Sequence, residues 1–399
     1  MDMRRGQNLL DLRDVNLTVL LSSIWERGPI SRVALAEVTG LAPSSITRLI
    51  RQLNAKGLIA ETGKGASKGG RQPILISPNP DAGVILSFDL SGPVMRGGVF
   101  DAANAALREL ERPFEALGPD GIRRQLFSLS RELLSDSSVR GRRLLGIGVS
   151  SPAVVSGVVT VNANLELRRF PFRDILEKEF GVPVFVQNDS HGAALAEKNY
   201  GAGRGLGDFI YILLSDGIGS GLVIGGDIYK GPLQTAGEIG HVVIERAGGF
   251  CSCGKRGCLE TFSSRAAILA HARQILAHDG DEALVRAAGE DGRRLDLSTL
   301  REAAEAGSPG AAVAINYAAE QVGFAIVNTV TLLGLRSVIV GGDVVEQLGP
   351  LFFEAIKDAV RKYNGSFQAT DLYRGELDWR ALLRSTSMST LQRIIGIAQ

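Results

Sequence analysis

From residue 16 the chain reads NLTVLLSSIWE, with Leu17, Leu20, Leu21 and Ile24 spaced three or four residues apart. That spacing predicts an amphipathic helix over 16–26. After Gly28-Pro29, Ser31 is placed to cap a short helix through Val38, and Gly40 is placed to end it. APSSITRLIRQL then restarts a helix with Pro43 at its first position, where a missing N–H costs nothing. The apolar stripe of that helix is Ile46, Leu49, Ile50 and Leu53, which turns Ser44, Ser45, Thr47, Arg48, Arg51 and Gln52 outward. Two short apolar runs, 58–60 and 74–76, predict strands flanking a loop rich in glycine and lysine that carries Lys64, Lys68 and Arg71. Helix, tight turn, basic-faced helix and a two-stranded wing make a winged helix-turn-helix, expected over 1–76. Such a domain sets its second helix into a DNA major groove, while the cations of the wing meet phosphates. An ordinary helical hairpin with a solvated face is the alternative reading.

SPNPDAG, residues 77–83, holds two prolines and a glycine and reads as an interdomain linker. Beyond it, short apolar blocks alternate with helical spacing. GVILSFDLSGPVMRGGVFD, 83–101, is a strand ending in Asp89, a turn at Ser91-Gly92-Pro93 and a second strand to Asp101. DFIYILLSDGIGSGLVIGGD, 208–227, repeats that design around Asp216-Gly217. Between them the pattern predicts a helix near 121–135, the strand LLGIGVS, a helix near 173–180, the strand PVFVQND and the helix SHGAALAEKNYG. Two α/β halves that open alike imply an internally duplicated body over 84–399, with a ligand cleft between the halves.

The composition, 45% hydrophobic and 22% charged with net charge +1, is that of a soluble globular protein. The start lacks the apolar stretch of a signal peptide and no 18 apolar residues run uninterrupted, so a cytoplasmic protein without a membrane partner is expected. The charge is uneven. Residues 1–78 carry 11 Lys+Arg against 6 Asp+Glu, a net of +5, and the remainder 33 against 37, a net of −4. A polyanion partner is therefore expected for the front end only. The three cysteines, Cys251, Cys253 and Cys258, fall within eight positions, ten residues after His241. An odd number in a reducing compartment argues against a disulfide framework. Three thiolates and an imidazole would make the closed tetrahedral set of a structural zinc, although the C-x-C spacing is tighter than usual; a reactive or buried thiol group is the alternative.

The body resembles the ROK family (repressors, open reading frames and kinases). The resemblance rests on Asn188-Asp189 before a helix of small residues, on Gly237-Glu238-Ile239-Gly240-His241, on CSCGKRGCLE from Cys251 to Glu260, and on SVIVGGDVVEQLGPLFFEAI at 337–356. The first eighty residues resemble the winged helix that precedes this body in the branch of the xylose and N-acetylglucosamine repressors. It implies an actin-like, sugar-kinase-type duplicated fold and supports one zinc on His241, Cys251, Cys253 and Cys258 despite the C-x-C. It further implies that Glu238, His241 and Glu260 bind sugar hydroxyls from one wall of the cleft, with Asn164, Asn188 and Asp189 on the other. In the family's kinases Asp189 would be the base that activates the sugar hydroxyl; in a sensor the same carboxylate would only bind it.

The phosphate loops argue for the sensor. Where the kinases resemble Asp-x-Gly-Gly-Thr-Lys, this chain reads Asp89-Leu90-Ser91-Gly92-Pro93-Val94, and Pro93 removes an N–H that could hold a phosphate. Where they resemble Gly-Thr-Gly-Ile-Gly, it reads Ser215-Asp216-Gly217-Ile218-Gly219, which is expected to set a negative charge against the phosphates. The expected protein is thus a DNA-binding regulator, not an enzyme, with no catalytic residue beyond Asp189 as a vestigial base. Its expected partners are an operator duplex and a sugar or sugar phosphate, and it is expected to work as a homodimer or homotetramer; Arg168 and Arg169 point to an anionic sugar in one reading and are ordinary surface arginines in the other. The alternative is an ATP-dependent sugar kinase with an accessory DNA-binding domain.

Overall fold

A computed structural model of the chain describes residues 9–65, 72–152, 154–155, 158–162, 165–278, 281–289, 292–365 and 369–395. The first helix runs Leu9–Arg27. Ser31 caps Arg32–Thr39 by accepting a hydrogen bond from the Ala34 amide, and Gly40 closes that helix at φ 67°. The next helix, Pro43–Ala55, buries Ile46, Leu49, Ile50 and Leu53, the stripe its spacing predicts. Strands Ile59–Lys64 and Ile74–Pro78 pair antiparallel as the wing. A third strand, Ile30–Ser31, pairs with the second through Ile30 and Ile76. Two residues are too short to show a period, so sequence reading misses that strand. The expected linker is also more ordered than its prolines suggest. The wing strand reaches Pro78, and Pro80–Ala82 forms a 3₁₀ turn capped by Asn79, whose amide donates to the Gly57 carbonyl at 2.8 Å. Proline's fixed φ suits a strand end and a first turn alike.

The body holds two five-stranded sheets of one topology. In chain order the first half supplies Val84–Asp89, Val94–Asp101, Ala106–Pro113, Leu144–Ser151 and Val184–Asn188. The second supplies Phe209–Leu214, Ile218–Ile224, Asp227–Ile228, Ser337–Gly341 and Asp371–Arg374. Both sheets run third, second, first, fourth, fifth. In both, the second strand runs antiparallel to the first and third, and the fourth and fifth continue parallel to the first. The duplication read from two similar turns is therefore a duplication of sheet topology. Helix Pro309–Leu333 passes, by length and composition, the test for a membrane span. Ala314, Ile315, Ala318, Val322 and Ile326 on it are buried in the core of the second half, as in a central helix of a globular domain.

The last described helix, Trp379–Ile395, joins what the chain separates. Its middle lies on the first sheet, where Gly146 and Gly148 let it approach the backbone: a Cβ on Gly148 would stand 2.3 Å from Thr390 Oγ1 and 2.8 Å from Thr386 Cγ2. Its end contributes Met388, Leu391 and Ile395 to the hydrophobic cluster of the winged helix, beside Leu20, Leu35, Leu53 and Ile76. Trp25 adds a polar tie by donating from Nε1 to the Ala102 carbonyl at 3.0 Å. The core of the front end is thus completed by residues more than 300 positions away, which no local pattern announces. Gly148→Ala should lower the unfolding free energy by about 1–3 kcal/mol through overpacking. Gly207→Ala, where nothing lies within 4 Å of the added Cβ, should change it by less than about 0.5 kcal/mol; denaturant melts of both variants check the contrast.

Candidate functional site

The first-half residues expected to line the cleft stand where strand Val184–Asn188 passes into helix Asp189–Tyr200. Asn188 is the N-cap. Its Oδ1 accepts from the Ser190 amide at 3.0 Å, the His191 amide at 3.3 Å and the Ser190 hydroxyl at 2.6 Å. The carbonyl of this expected sugar ligand therefore serves the helix, and its amide NH₂ is the part left for a ligand. Asp189 follows as a buried carboxylate that accepts from the Ser190 amide at 2.8 Å. Burial pushes its pKa up to about 7, with the nearby charges of Asp89 and Glu238 acting in the same direction against that amide.

Glu238, His241 and Glu260 come from the second half. Gly237 precedes Glu238 at φ 95°, where a Cβ would lie 2.1 Å from the Ser220 carbonyl, so the chain can press onto strand Ile218–Ile224 only with glycine there. Burial raises the Glu238 pKa; His241 opposes the shift and Glu260 adds to it, which places the three groups within electrostatic reach of one another. Glu260 opens the short helix Glu260–Ser263, accepts from the Ile218 amide at 3.2 Å, and lies 3.9 Å from Cys251 Sγ.

Next to these residues, one ligand atom from each of His241, Cys251, Cys253 and Cys258 falls within 4.8 Å of the others. Cys253 Sγ is 3.7 Å from Cys258 Sγ, and Cys251 Sγ is 3.5 Å from His241 Nδ1. A tetrahedral zinc with sulfurs about 2.3 Å and nitrogen about 2.0 Å away separates its sulfurs by roughly 3.8 Å and sulfur from nitrogen by roughly 3.5 Å. The donor set fits such an ion, and all three cysteines are free thiols. With Nδ1 on the cluster, Nε2 of His241 is the nitrogen left to hydrogen-bond elsewhere. Gly257 makes the loop possible: at φ 72° a Cβ there would stand 1.5 Å from the Glu245 carbonyl.

The phosphate loops differ from what sequence alone suggests. Asp89 is buried, accepts from the Ser91 amide at 3.1 Å and from the Ser91 hydroxyl, and meets Arg96 Nη1 at 3.4 Å. Burial holds its carboxyl above the ordinary range. The Arg96 guanidinium also lies 5.5 Å from the centre of the Trp379 ring and 3.3 Å from where a Cβ on Gly92 would be. In the second loop the expected free charge of Asp216 is not free. Arg265 Nε lies 2.9 Å from its carboxylate, and the same guanidinium bonds Gln347 Oε1 at 3.1 Å and Asp343. Asp216 is therefore paired with an internal cation that it shares with Asp343, two carboxylates on one guanidinium. Arg96, Arg265, Asp343 and Gln347 escape sequence reasoning because their partners lie 7 to 82 positions away, with no motif linking them.

On the front end, Ser44, Thr47, Arg48, Arg51 and Lys64 are exposed and Ser45 is half-buried. The Thr47 hydroxyl donates to the Pro43 carbonyl at 2.9 Å. Asn164, Lys68 and Arg71 lie outside the described residues. Arg168 and Arg169 are exposed on strand Leu167–Phe170.

Comparison with known proteins agrees with this layout. The profile of the ROK family matches residues 85–377, and that of the MarR family matches residues 15–62. The xylose repressor of Caldicellulosiruptor bescii is 29% identical over 356 residues, which span 88% of each chain. The structure of a ROK family transcriptional regulator, a homologue of the E. coli MLC protein, superposes with a TM-score of 0.78 over 97% of this chain and 98% of its own, at 24% identity. A ROK family glucokinase from Streptomyces griseus, solved with glucose and AMPPNP, gives 0.69 at 25% identity and covers 78% of this chain and all of its own. With a matching family profile over most of its length and the duplicated sheets to go with it, the chain belongs to the ROK family.

Proposed function

We propose that the protein is a sugar-responsive, DNA-binding transcriptional repressor whose ROK cleft binds a sugar or sugar derivative without phosphorylating it. The observation that carries this reading is the fusion of a basic-faced winged helix to a sugar-type cleft through one continuous hydrophobic cluster. Likeness to a xylose repressor over 88% of both chains supports it. The exposed Arg48 and Arg51 enter the major groove with Ser44, Ser45 and Thr47, while Lys64, Lys68 and Arg71 of the wing meet phosphates. The protein acts in the cytoplasm as a homodimer or homotetramer, so that two winged helices meet half-sites one helical turn, or a multiple of it, apart. Glu238, Glu260 and the second ring nitrogen of His241 bind the sugar from one wall and the Asn188 amide and Asp189 from the other, a mixture of donors and acceptors suited to sugar hydroxyls, with Asn164 the remaining sugar ligand that the family resemblance implies. With a pKa near neutrality, Asp189 can donate to a hydroxyl or accept from one.

That value would suit a catalytic base equally, so Asp189 does not separate sensor from kinase. The phosphate side supports the sensor. Pro93 lacks an N–H, Arg96 covers Gly92, and Arg265 ties Asp216 to Asp343 where a nucleotide's phosphates and metal would have to enter. The Cys₃His cluster holds one zinc, whose binding free energy adds to the stability of the loop that presents His241 and Glu260.

Arg48→Ala should weaken binding to an operator duplex by about 1–3 kcal/mol and leave calorimetric sugar binding unchanged; parallel loss of both would remove Arg48 from the DNA face. Folded, chelator-washed protein should retain about one zinc per chain by elemental analysis, and Cys253→Ser should lose zinc and melt at a lower temperature. A zinc-free folded protein sinks the assignment. With ATP, magnesium and a hexose panel, ADP release should stay at background, and turnover of about 1–100 per second would make the protein a kinase.

A further inference from the structure

Helix Trp379–Ile395 has an unusual underside. Where a core helix normally presents leucine and valine, this one buries Ser385, Thr386, Ser387 and Thr390, all at 2% exposure or less. Those hydroxyls touch two different elements. Towards the sugar site, Ser385 Oγ donates to the Gly192 carbonyl at 3.2 Å, and Gln187 Nε2 donates to Thr386 Oγ1 at 3.0 Å. Gly192 belongs to helix Asp189–Tyr200, three residues after Asp189. A Cβ on Gly192 would stand 2.6 Å from Gln187 Nε2 and 3.0 Å from Leu382 Cδ1, so the two helices meet at backbone distance. The far end of the same helix is fastened too: Glu197, buried, accepts from the Glu376 amide at 2.9 Å and the Leu377 amide at 3.2 Å, just ahead of Trp379.

The other end of Trp379–Ile395 lies in the DNA-binding unit. Met388, Leu391 and Ile395 complete the winged-helix cluster. Lys56, the C-cap residue of the basic-faced helix Pro43–Ala55, donates from Nζ to the Ile395 carbonyl at 3.3 Å. One rigid element therefore contacts both the helix that carries Asp189 and the end of the helix that carries Arg48 and Arg51.

Transmission needs an element with two arrangements, and the interface under this helix has the marks of one. Ser87, Ser150 and Ser387 bury their hydroxyls there without a hydrogen-bond partner among the described residues. Ser87 pairs in register with Gly148, the residue on which Thr386 and Thr390 press, and Ser150 follows Gly148 by two, on the same face of its strand. Pairing a buried hydroxyl is worth about 1–3 kcal/mol, which favours a displacement of the helix that brings these three a partner. The helix is seated closely, with Thr386 and Thr390 over Gly148, and close-packed contacts transmit a displacement from one element to the next.

We propose that helix Trp379–Ile395 is the rod that carries cleft closure to the winged helix, with Ser385 and Thr386 as positioning residues at its input and Lys56 at its output. A shift of helix Asp189–Tyr200 around bound sugar moves the rod along the first sheet, and the rod tilts Pro43–Ala55 relative to the body. The inference rests on the sensor reading above.

The test uses full-length protein, a duplex selected by that protein from a random pool, and five probes: D-xylose, D-glucose, N-acetylglucosamine and the 6-phosphates of the last two. Calorimetry reads sugar binding, and duplex affinity with and without each probe reads coupling. Wild type should bind at least one probe, and that probe should change duplex affinity by about 5- to 150-fold. In Ser385→Ala/Thr386→Val, and separately in the surface variant Lys56→Met, sugar affinity should stay within about twofold while the effect on the duplex falls to threefold or less. A residue with a merely structural role would lower stability or both affinities and leave their ratio alone. Either variant retaining wild-type coupling overturns the rod and leaves the sensor reading standing. No heat with any of the five probes overturns the sensor reading and the rod together.

Discussion

The close seating of helix Trp379–Ile395 on the glycine-lined face of the first sheet is the contact on which the rest of the molecule depends. Gly146 and Gly148 bring the helix down to the strand backbone, where Ile394, Thr386 and Thr390 fill the space that side chains would otherwise take. From that position the helix reaches the winged helix at one end and the sugar-site helix along its length. A bulkier sheet surface would lift it away from both. The front end would then keep its three helices and its wing but lose the residues that close its core. Because packing at backbone distance tolerates few substitutions, the contact constrains both domains at once.

The cleft obeys a related constraint. Its second-half wall is a loop that carries no regular strand or long helix, yet it must hold Glu238, His241 and Glu260 in fixed positions. Two devices do this. Glycines at 237 and 257 take up left-handed backbone that lets the loop press against neighbouring carbonyls, and the Cys₃His cluster ties its two ends at 241 and 258. His241 belongs to the Cys₃His donor set and lies three residues after Glu238, so the proposed metal clamp and the proposed ligand wall share one imidazole. On the nucleotide side the same fold is occupied by its own cations, Arg96 against Asp89 and Arg265 between Asp216 and Asp343. An arginine that already satisfies two carboxylates has little left for a phosphate.

Much of this was legible because its causes are local. The stripe Ile46, Leu49, Ile50, Leu53 follows from the helical period, the caps at Ser31 and Gly40 from the backbone bonds they satisfy, and the metal set from four ligands inside eighteen residues. The repeated strand-turn-strand openings at 83–101 and 208–227 disclosed the duplication, and the sheets confirm it in strand order. Other features had no local cause to read. Strand Ile30–Ser31 exists only because Ile76 is there to pair with it. The charge at Asp216 was legible, but its partner was not, since Arg265 stands 49 positions away. The buried Ser385, Thr386, Ser387 and Thr390 defeat pattern reading altogether, because hydroxyls over glycine look solvated in a scheme that expects the interior to be apolar.

The sequence by itself therefore determined the parts: a winged helix, two α/β halves, a thiol and imidazole clamp and a set of cleft carboxylates, each specified by spacings of a few residues. Tertiary structure decided how those parts act on one another. It closed the front end with the far end of the chain, paired Asp216 with Arg265, committed the Asn188 carbonyl to a helix cap and laid one helix against both the winged helix and helix Asp189–Tyr200. The reason is physical: periodicity records which face of an element is buried, but the partner on the other side of that face is chosen by packing between residues that may stand hundreds of positions apart.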